Sequence, residues 1–178
     1  PTATRVNGFF EFDESGVSVQ VKSGNLLDLP INNLLLTVPV SNGSADWLNL
    51  TGEVNDNALL ILSTLRATPL AETVLQPFEN WQLGGKVKGR FNVAIPFKEG
   101  VDPQVQLGLD LKDNSLAIND LDLSVQVDSG HLNYSSDKGI NNSEFDLKAF
   151  GGLSHLVLSS TAAQDGGLAV LVDFSGDV

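Results

Sequence analysis

Residues 55–97 read NDNALLILSTLRATPLAETVLQPFENWQLGGKVKGRFNVAIPF, and their spacing decides the fold. Apolar residues elsewhere in the chain recur with a period of two, as in half-buried strands. Here the spacing turns helical, stops at Pro69, and returns to a period of two after Pro77. Asp56 reads as the cap of a helix whose apolar residues, Leu59 to Leu62 and Leu65, form a stripe wider than a surface helix needs. The densest line in that stripe is Leu59, Leu62 and Leu65. Thr68-Pro69 ends the helix, because the residue before proline is pushed out of the α region. A second short helix is expected from Ala71 to Leu75, closed by Pro77. Such a plug has to be buried against something apolar. From Trp81 a strand follows: Lys86, Lys88, Arg90 and Asn92 face one way, and Val87, Phe91, Val93 and Ile95 the other, with Gly89 in the apolar row.

Outward from this stretch the chain is written as strands and turns. Phe10 and Phe12, then Val17, Val19 and Val21, make a hairpin across Asp13-Glu14-Ser15-Gly16, and Ser23-Gly24-Asn25 reads as the next turn. Leu26 to Val40 carries Pro30 and Pro39 and reads as irregular or edge strand, because proline cannot donate to a ladder. After a turn at Ser41-Asn42-Gly43-Ser44, Trp47 to Val54 alternates cleanly, with Leu48, Leu50 and Val54 on one face. On the other side Val105, Leu107, Leu109 and Leu111 alternate up to an expected turn at Lys112-Asp113-Asn114-Ser115. Leu116 and Ile118 then differ in parity from Leu121, Leu123, Val125 and Val127, so a bulge or tight turn is required at Asn119-Asp120. Leu132 and Tyr134, Phe145 and Leu147, Leu156 and Leu158, and Leu168, Val170, Val172 and Phe174 continue the theme. Turns fall at Ser136-Asp137-Lys138-Gly139, Gly151-Gly152 and Asp165-Gly166-Gly167. Turns about every ten residues with local connections indicate an antiparallel meander.

Composition narrows the function classes. The 178 residues suffice for one domain, 1–178, or for one slice of a larger repetitive object. With no methionine and Pro1 at the start, the chain is expected to be an internal fragment of a larger protein. No run approaches the roughly 18 apolar residues of a membrane span. A net charge of −12 disfavours nucleic acid as a partner. The absence of cysteine removes disulfides, thiolate chemistry and Cys-based zinc sites.

No constellation argues for an enzyme. His131 and His155 are the only histidines, lack a metal-ligand spacing, and read as surface or edge residues. Asp113, Asp120 and Asp122 lack the calcium-loop pattern with its closing glutamate. Gly84-Gly85-Lys86-Val87-Lys88-Gly89 opens a strand rather than a helix, so it is a turn and not a phosphate cradle. No G-x-S-x-G elbow is present. No metal or cofactor is expected. A one-faced meander must hide its apolar rows by closing into a barrel, by packing sheet on sheet, or by keeping a ligand in a groove. Periodicity alone favours barrel or sandwich.

A resemblance reverses that preference. Asp28-Leu29-Pro30, Asp46-Trp47, Gly52-Glu53-Val54, Thr68-Pro69-Leu70-Ala71, Trp81 through Ile95-Pro96, Asn114-Ser115-Leu116 and Ser136-Asp137-Lys138-Gly139, in that order and spacing, resemble the periplasmic body of the YhdP family. These are AsmA-like envelope proteins of Gram-negative bacteria, related more distantly to AsmA and TamB. The resemblance covers most of the chain and is best from Leu65 to Gly139. It implies an inner-membrane-anchored protein whose long β-sheet curls into an open, apolar-lined groove that bridges the periplasm and conducts phospholipid toward the outer membrane. It brings no catalytic residues. On this reading the fold is a mostly β antiparallel meander curled into such a groove, with one or two short helices near residues 56–75. The candidate lining is Phe91, Val93, Ile95, Val105, Leu107, Leu109, Leu111, Leu123 and Val125. The partners are phospholipid acyl chains and neighbouring segments of the same protein. The alternative is a structural or partner-docking β domain of an envelope protein, in which the same residues form a closed core with no lipid path.

Overall fold

The computed structural model describes residues 2–68, 71, 75, 79–149, 152–162 and 168–176. Its strands are β1 (Ala3–Asp13), β2 (Gly16–Leu26), β3 (Leu29–Ser41), β4 (Ser44–Ala45), β5 (Trp47–Asn57), β6 (Trp81–Gly84), β7 (Lys86–Pro96), β8 (Gln104–Ile118), β9 (Leu123–Ser135), β10 (Gly139–Ile140), β11 (Ser143–Ala149), β12 (Gly152–Ala162) and β13 (Leu168–Gly176). The helix α1 (Ala58–Arg66) interrupts them. All belong to an antiparallel sheet ordered β1-β2-β3-β5-β7-β8-β9-β11-β12-β13, with β1 and β13 at opposite, unjoined edges. The sheet is open, not a barrel, and it is a meander throughout: each strand pairs with its predecessor in sequence once α1 and the three short strands are set aside.

Register puts the apolar rows on one face. Phe10 lies opposite Val19, Val19 opposite Leu36, Leu36 opposite Leu50, Leu50 opposite Val93 and Val93 opposite Val105. A second row runs from Val87 through Leu111, Gly130, Phe145 and Leu156 to Phe174. Directly paired residues share a face of the sheet, so these rows form one continuous apolar surface.

Two creases bend that surface. In the first, Arg5 is extra on β1 and Asn33 on β3, both with positive φ (52° and 54°), and Lys22 is extra on β2 between them. In the second, Gly84 pairs with Ser115 but Val87 with Leu111, so β8 carries one surplus residue at Asp113, φ 56°. Asp128 is the surplus residue where β9 meets β11. Each bulge adds local twist and re-aims the side chains that follow it.

These bulges correct three sequence expectations. β3 is a full strand between β2 and β5, not an irregular edge; its prolines, opposite Asn25 and Gly16, lie outside the stretch Asn32–Thr37 that pairs with β5. The turn after β2 falls at Leu27-Asp28, with Leu27 left-handed at φ 54°, while Ser23-Gly24-Asn25 stays within the strand. Lys112-Asp113-Asn114-Ser115 is no turn either, because β8 runs through it. The tight turn expected at Asn119-Asp120 is present as a 3-10 turn over Asn119–Leu121, closed by left-handed Asp122.

Asn114 fastens the second crease. It is fully buried and accepts the Lys112 N–H at 2.6 Å. Its amide donates to the carbonyls of Gly84 (2.8 Å) and Lys86 (3.1 Å). Between them Gly85 has φ +91°, and a Cβ there would lie 2.7 Å from the Asn114 amide nitrogen. Conformation and contact both demand glycine.

α1 is capped by Asn57, whose side chain accepts the Leu59 N–H at 2.9 Å; the expected cap, Asp56, instead accepts the Asn57 N–H. The docked face also differs from the leucine line. Ala58, Ile61 and Thr64 are buried, Leu62 and Leu65 are half-buried, and Leu59 is 62% exposed. Where the chain leaves β5 it stays close to the sheet, with the Ala58 N–H on the Gly85 carbonyl at 2.9 Å, and a small residue suits that approach. Ile61→Ala is expected to cost about 2–5 kcal/mol, whereas Leu59→Ala should stay within about 0.5 kcal/mol. Parallel urea melts check the pair, and equal losses would mean that the helix docks through a different face. Most of the second expected helix, from Ala71 to Leu75, lies outside the described residues; the Leu75 N–H donates to the Ala71 carbonyl at 3.0 Å.

Candidate functional site

The apolar face is a trough of uneven depth. At its edges it is open: β1 is exposed along its length, with Phe10 and Phe12 bare, and Val170, Val172 and Phe174 of β13 are exposed as well. In the β8–β12 half it is packed shut, and Phe145, Leu147, Leu156 and Leu158 are at most 1% exposed. Ala58 and Ile61 of α1 belong to the same packed cluster.

Between these regimes lies a cavity of about 190 Å³. Its floor is formed by β5, β7 and β8 through Leu50, Phe91, Val93, Val105, Leu107 and Leu109. One wall comes from the β2–β3 corner, with Leu29 and Ile31, and another from β6, with Trp81 and Leu83. α1 is the roof, through Ile61, Leu62 and Leu65. Gly52 keeps the floor deep, since a Cβ there would sit 2.8 Å from the Phe91 ring and 3.0 Å from Leu34.

Five of the nine candidate lining residues, Phe91, Val93, Val105, Leu107 and Leu109, are therefore brought together around one cavity. Ile95 packs against the cluster of Val93 and Val105. Leu111 and Val125 are buried in the larger packed cluster, and Leu123 borders it. Sequence reasoning missed the wall at Leu29 and Ile31, because the parity slip at Asn33 hid the face they share with Leu34. It also placed α1 on the sheet without assigning Leu62 and Leu65 to the lining.

The reverse face is solvated and carries ion pairs, with Phe9, Leu35, Leu153 and Leu171 also exposed on it. Arg90 pairs with Glu53 at 3.3 Å and Lys148 with Asp128 at 3.0 Å. His131 bridges Asp110 (2.7 Å) and Asn133 (2.9 Å), and His155 meets Asp146 at 3.0 Å. Hydrogen bonds from His155 and Ser129 hold the Asp146 carboxyl below its ordinary value. The ion pairs join neighbouring strands across the solvated face, and each histidine meets one carboxylate. Among the described residues no three histidine or carboxylate groups converge as metal ligands. Most of the described lining of the cavity is hydrocarbon, with Asn32, Glu53, Thr64 and Thr68 the polar residues on it, so the cavity can hold apolar chains.

No protein of curated function and no solved structure matches the chain. The family model described as "YhdP protein" does, over residues 1–178. With the match running from end to end, the chain belongs to the YhdP family.

Proposed function

We propose that the chain is a length of a conduit that carries phospholipid between the inner and outer membranes of a Gram-negative bacterium, the acyl chains lying on the apolar trough. The observation that carries this reading is an apolar face that runs across an open sheet and is bare at both edges. A hydrocarbon chain gains about 0.8 kcal/mol per CH₂ on leaving water, but a lipid arriving from a bilayer has already made that gain. The trough need only match the membrane, and a lining made mostly of hydrocarbon does so while letting a chain slide. The exposed edges β1 and β13 present unpaired ladder groups, as a strand of a neighbouring segment of the same protein would require. Residence in the periplasm, as part of an inner-membrane-anchored protein, belongs to the same proposal; among the described residues no helix is long and apolar enough to cross a membrane. The role is one of transport, not catalysis.

A second reading, a structural or partner-docking closed β domain with no lipid path, is favoured by the packed region around Phe145 and Leu156. Face parity separates the two. A photo-crosslinking residue at Val93 or Leu107 is expected to capture phospholipid in cells, while one at Lys88 or Asn92, on the opposite face of β7, is not. Protein adducts alone at Val93 and Leu107 would establish the closed domain instead.

A further inference from the structure

β5 and β7 are antiparallel neighbours with Asn57 opposite Lys86, so a two-residue turn such as Asn-Gly would close this hairpin. The chain instead runs from Ala58 to Gly85, through α1 and β6, before β7 begins. Long insertions cost little in closure entropy, and in compact domains those that persist are commonly functional.

The placement of α1 indicates what this one does. Ile61, Leu62 and Leu65 close the top of a cavity whose floor is Leu50, Phe91 and Leu107. At about 190 Å³ the space exceeds the roughly 150 Å³ of an apolar cavity that takes up benzene. Among the described residues Glu53 is the one charged residue that borders the cavity, and its carboxylate pairs with Arg90 on the reverse face. A hydrocarbon chain fits such a site, and a charged headgroup finds no partner in it.

α1 is held by its contacts with the sheet and not by stability of its own. Its nine residues are too few for a helix to be stable alone. Ala58, Ile61 and Thr64 dock it on the sheet, the Ala58 N–H bonds to the Gly85 carbonyl, and Leu62 and Leu65 stay half-buried over the cavity. A chain seated below would complete their packing, whereas lifting the helix would join the cavity to the open trough.

We propose that the cavity beneath α1 is a seat for a single hydrocarbon chain, roofed by α1, and that the chain advances only when α1 lifts from the sheet. This rests on the conduit reading, and the experiment tells the two apart. Photo-crosslinking residues are placed singly at Leu62, Leu59 and Val93 in the protein in cells, and adducts are analysed for phospholipid. The seat requires capture at Leu62 and none at the solvent-facing Leu59 of the same helix. Capture at Val93 without capture at Leu62 overturns the seat and leaves the conduit standing; no capture at either overturns both.

The lid is tested separately by replacing Ala58–Gly85 with Asn-Gly. The purified wild-type chain is expected to retain co-purified phospholipid through gel filtration and the shortened variant to lose it. Equal retention, or a variant that no longer folds, overturns the lid, the latter by assigning the insert to the core.

Discussion

Replacing Asn114 with leucine is expected to destabilise the fold by about 3 kcal/mol or more, although the two side chains are nearly isosteric. The side chain makes three hydrogen bonds inside a site with no solvent exposure. Leucine removes all three and leaves the Gly84 and Lys86 carbonyls and the Lys112 N–H without their partner. Each buried polar group so stranded costs about 1–3 kcal/mol, more than leucine recovers by its added apolar surface. Asn114→Asp separates hydrogen bonding from packing. The carboxylate still accepts from Lys112 but faces two carbonyls with no proton to donate, so burial and these dipoles raise its pKa above the unfolded value. A carboxyl with a raised folded pKa binds its proton more tightly in the native state. The variant's deficit should therefore be greatest at pH 7 and shrink as pH falls through the folded pKa. Urea melts at pH 7 and pH 5 check both claims, and a deficit independent of pH would place the residue in contact with solvent.

The same residue shows where sequence reading stopped. Lys112-Asp113-Asn114-Ser115 has the composition of a turn because Asp and Asn tolerate left-handed conformations and bond to nearby backbone. A bulge needs the same chemistry, and Asp113 at φ 56° supplies it within an unbroken strand. Only the partner's register, Lys86–Gly84 against Lys112–Ser115, distinguishes the two, and no local pattern contains that register. The apparent slip between Ile118 and Leu123 has a simple origin as well. They are directly opposed across a hairpin, so their opposite parity in sequence is what a shared face requires. By contrast, the rows Val87–Ile95 and Val105–Leu111 were legible residue by residue, because period-two alternation has one structural meaning where nothing interrupts it. Five candidate lining residues therefore fell on the cavity. The remaining four lie in rows whose coverage depends on how the creased sheet meets the insert. The helix followed the same logic: two adjacent period-three lines, Ala58/Ile61/Thr64 and Leu59/Leu62/Leu65, compete for the sheet, and the close exit from β5 at Ala58 selects the one with smaller side chains.

An aspartate on the trough is expected to have opposite consequences at Leu156 and at Leu107. Leu156 has no solvent exposure and sits between Phe145 and Phe174 in register. A carboxylate there is unpaired and surrounded by hydrocarbon, a penalty of several kcal/mol that approaches the 5–15 kcal/mol total stability of an ordinary domain. Leu156→Asp should not fold, whether or not lipid ever passes. Leu107 is half-buried, lines the cavity, and lies opposite Phe91 on one side and Tyr134 on the other. An aspartate at that position can draw water into the cavity or take up a proton, so the sheet should survive with a stability loss of about 1–3 kcal/mol. What it cannot do is coexist with an acyl chain, which would have to strip that water away. Leu107→Asp is therefore expected to fold, judged by an unchanged β-type circular dichroism spectrum, while photo-capture of phospholipid at Val93 disappears. If Leu107→Asp unfolds as Leu156→Asp does, the cavity is part of a closed core and the structural-domain reading stands. If it folds and Val93 captures lipid as before, acyl chains do not travel over Leu107, and this stretch of the trough is not a conduit.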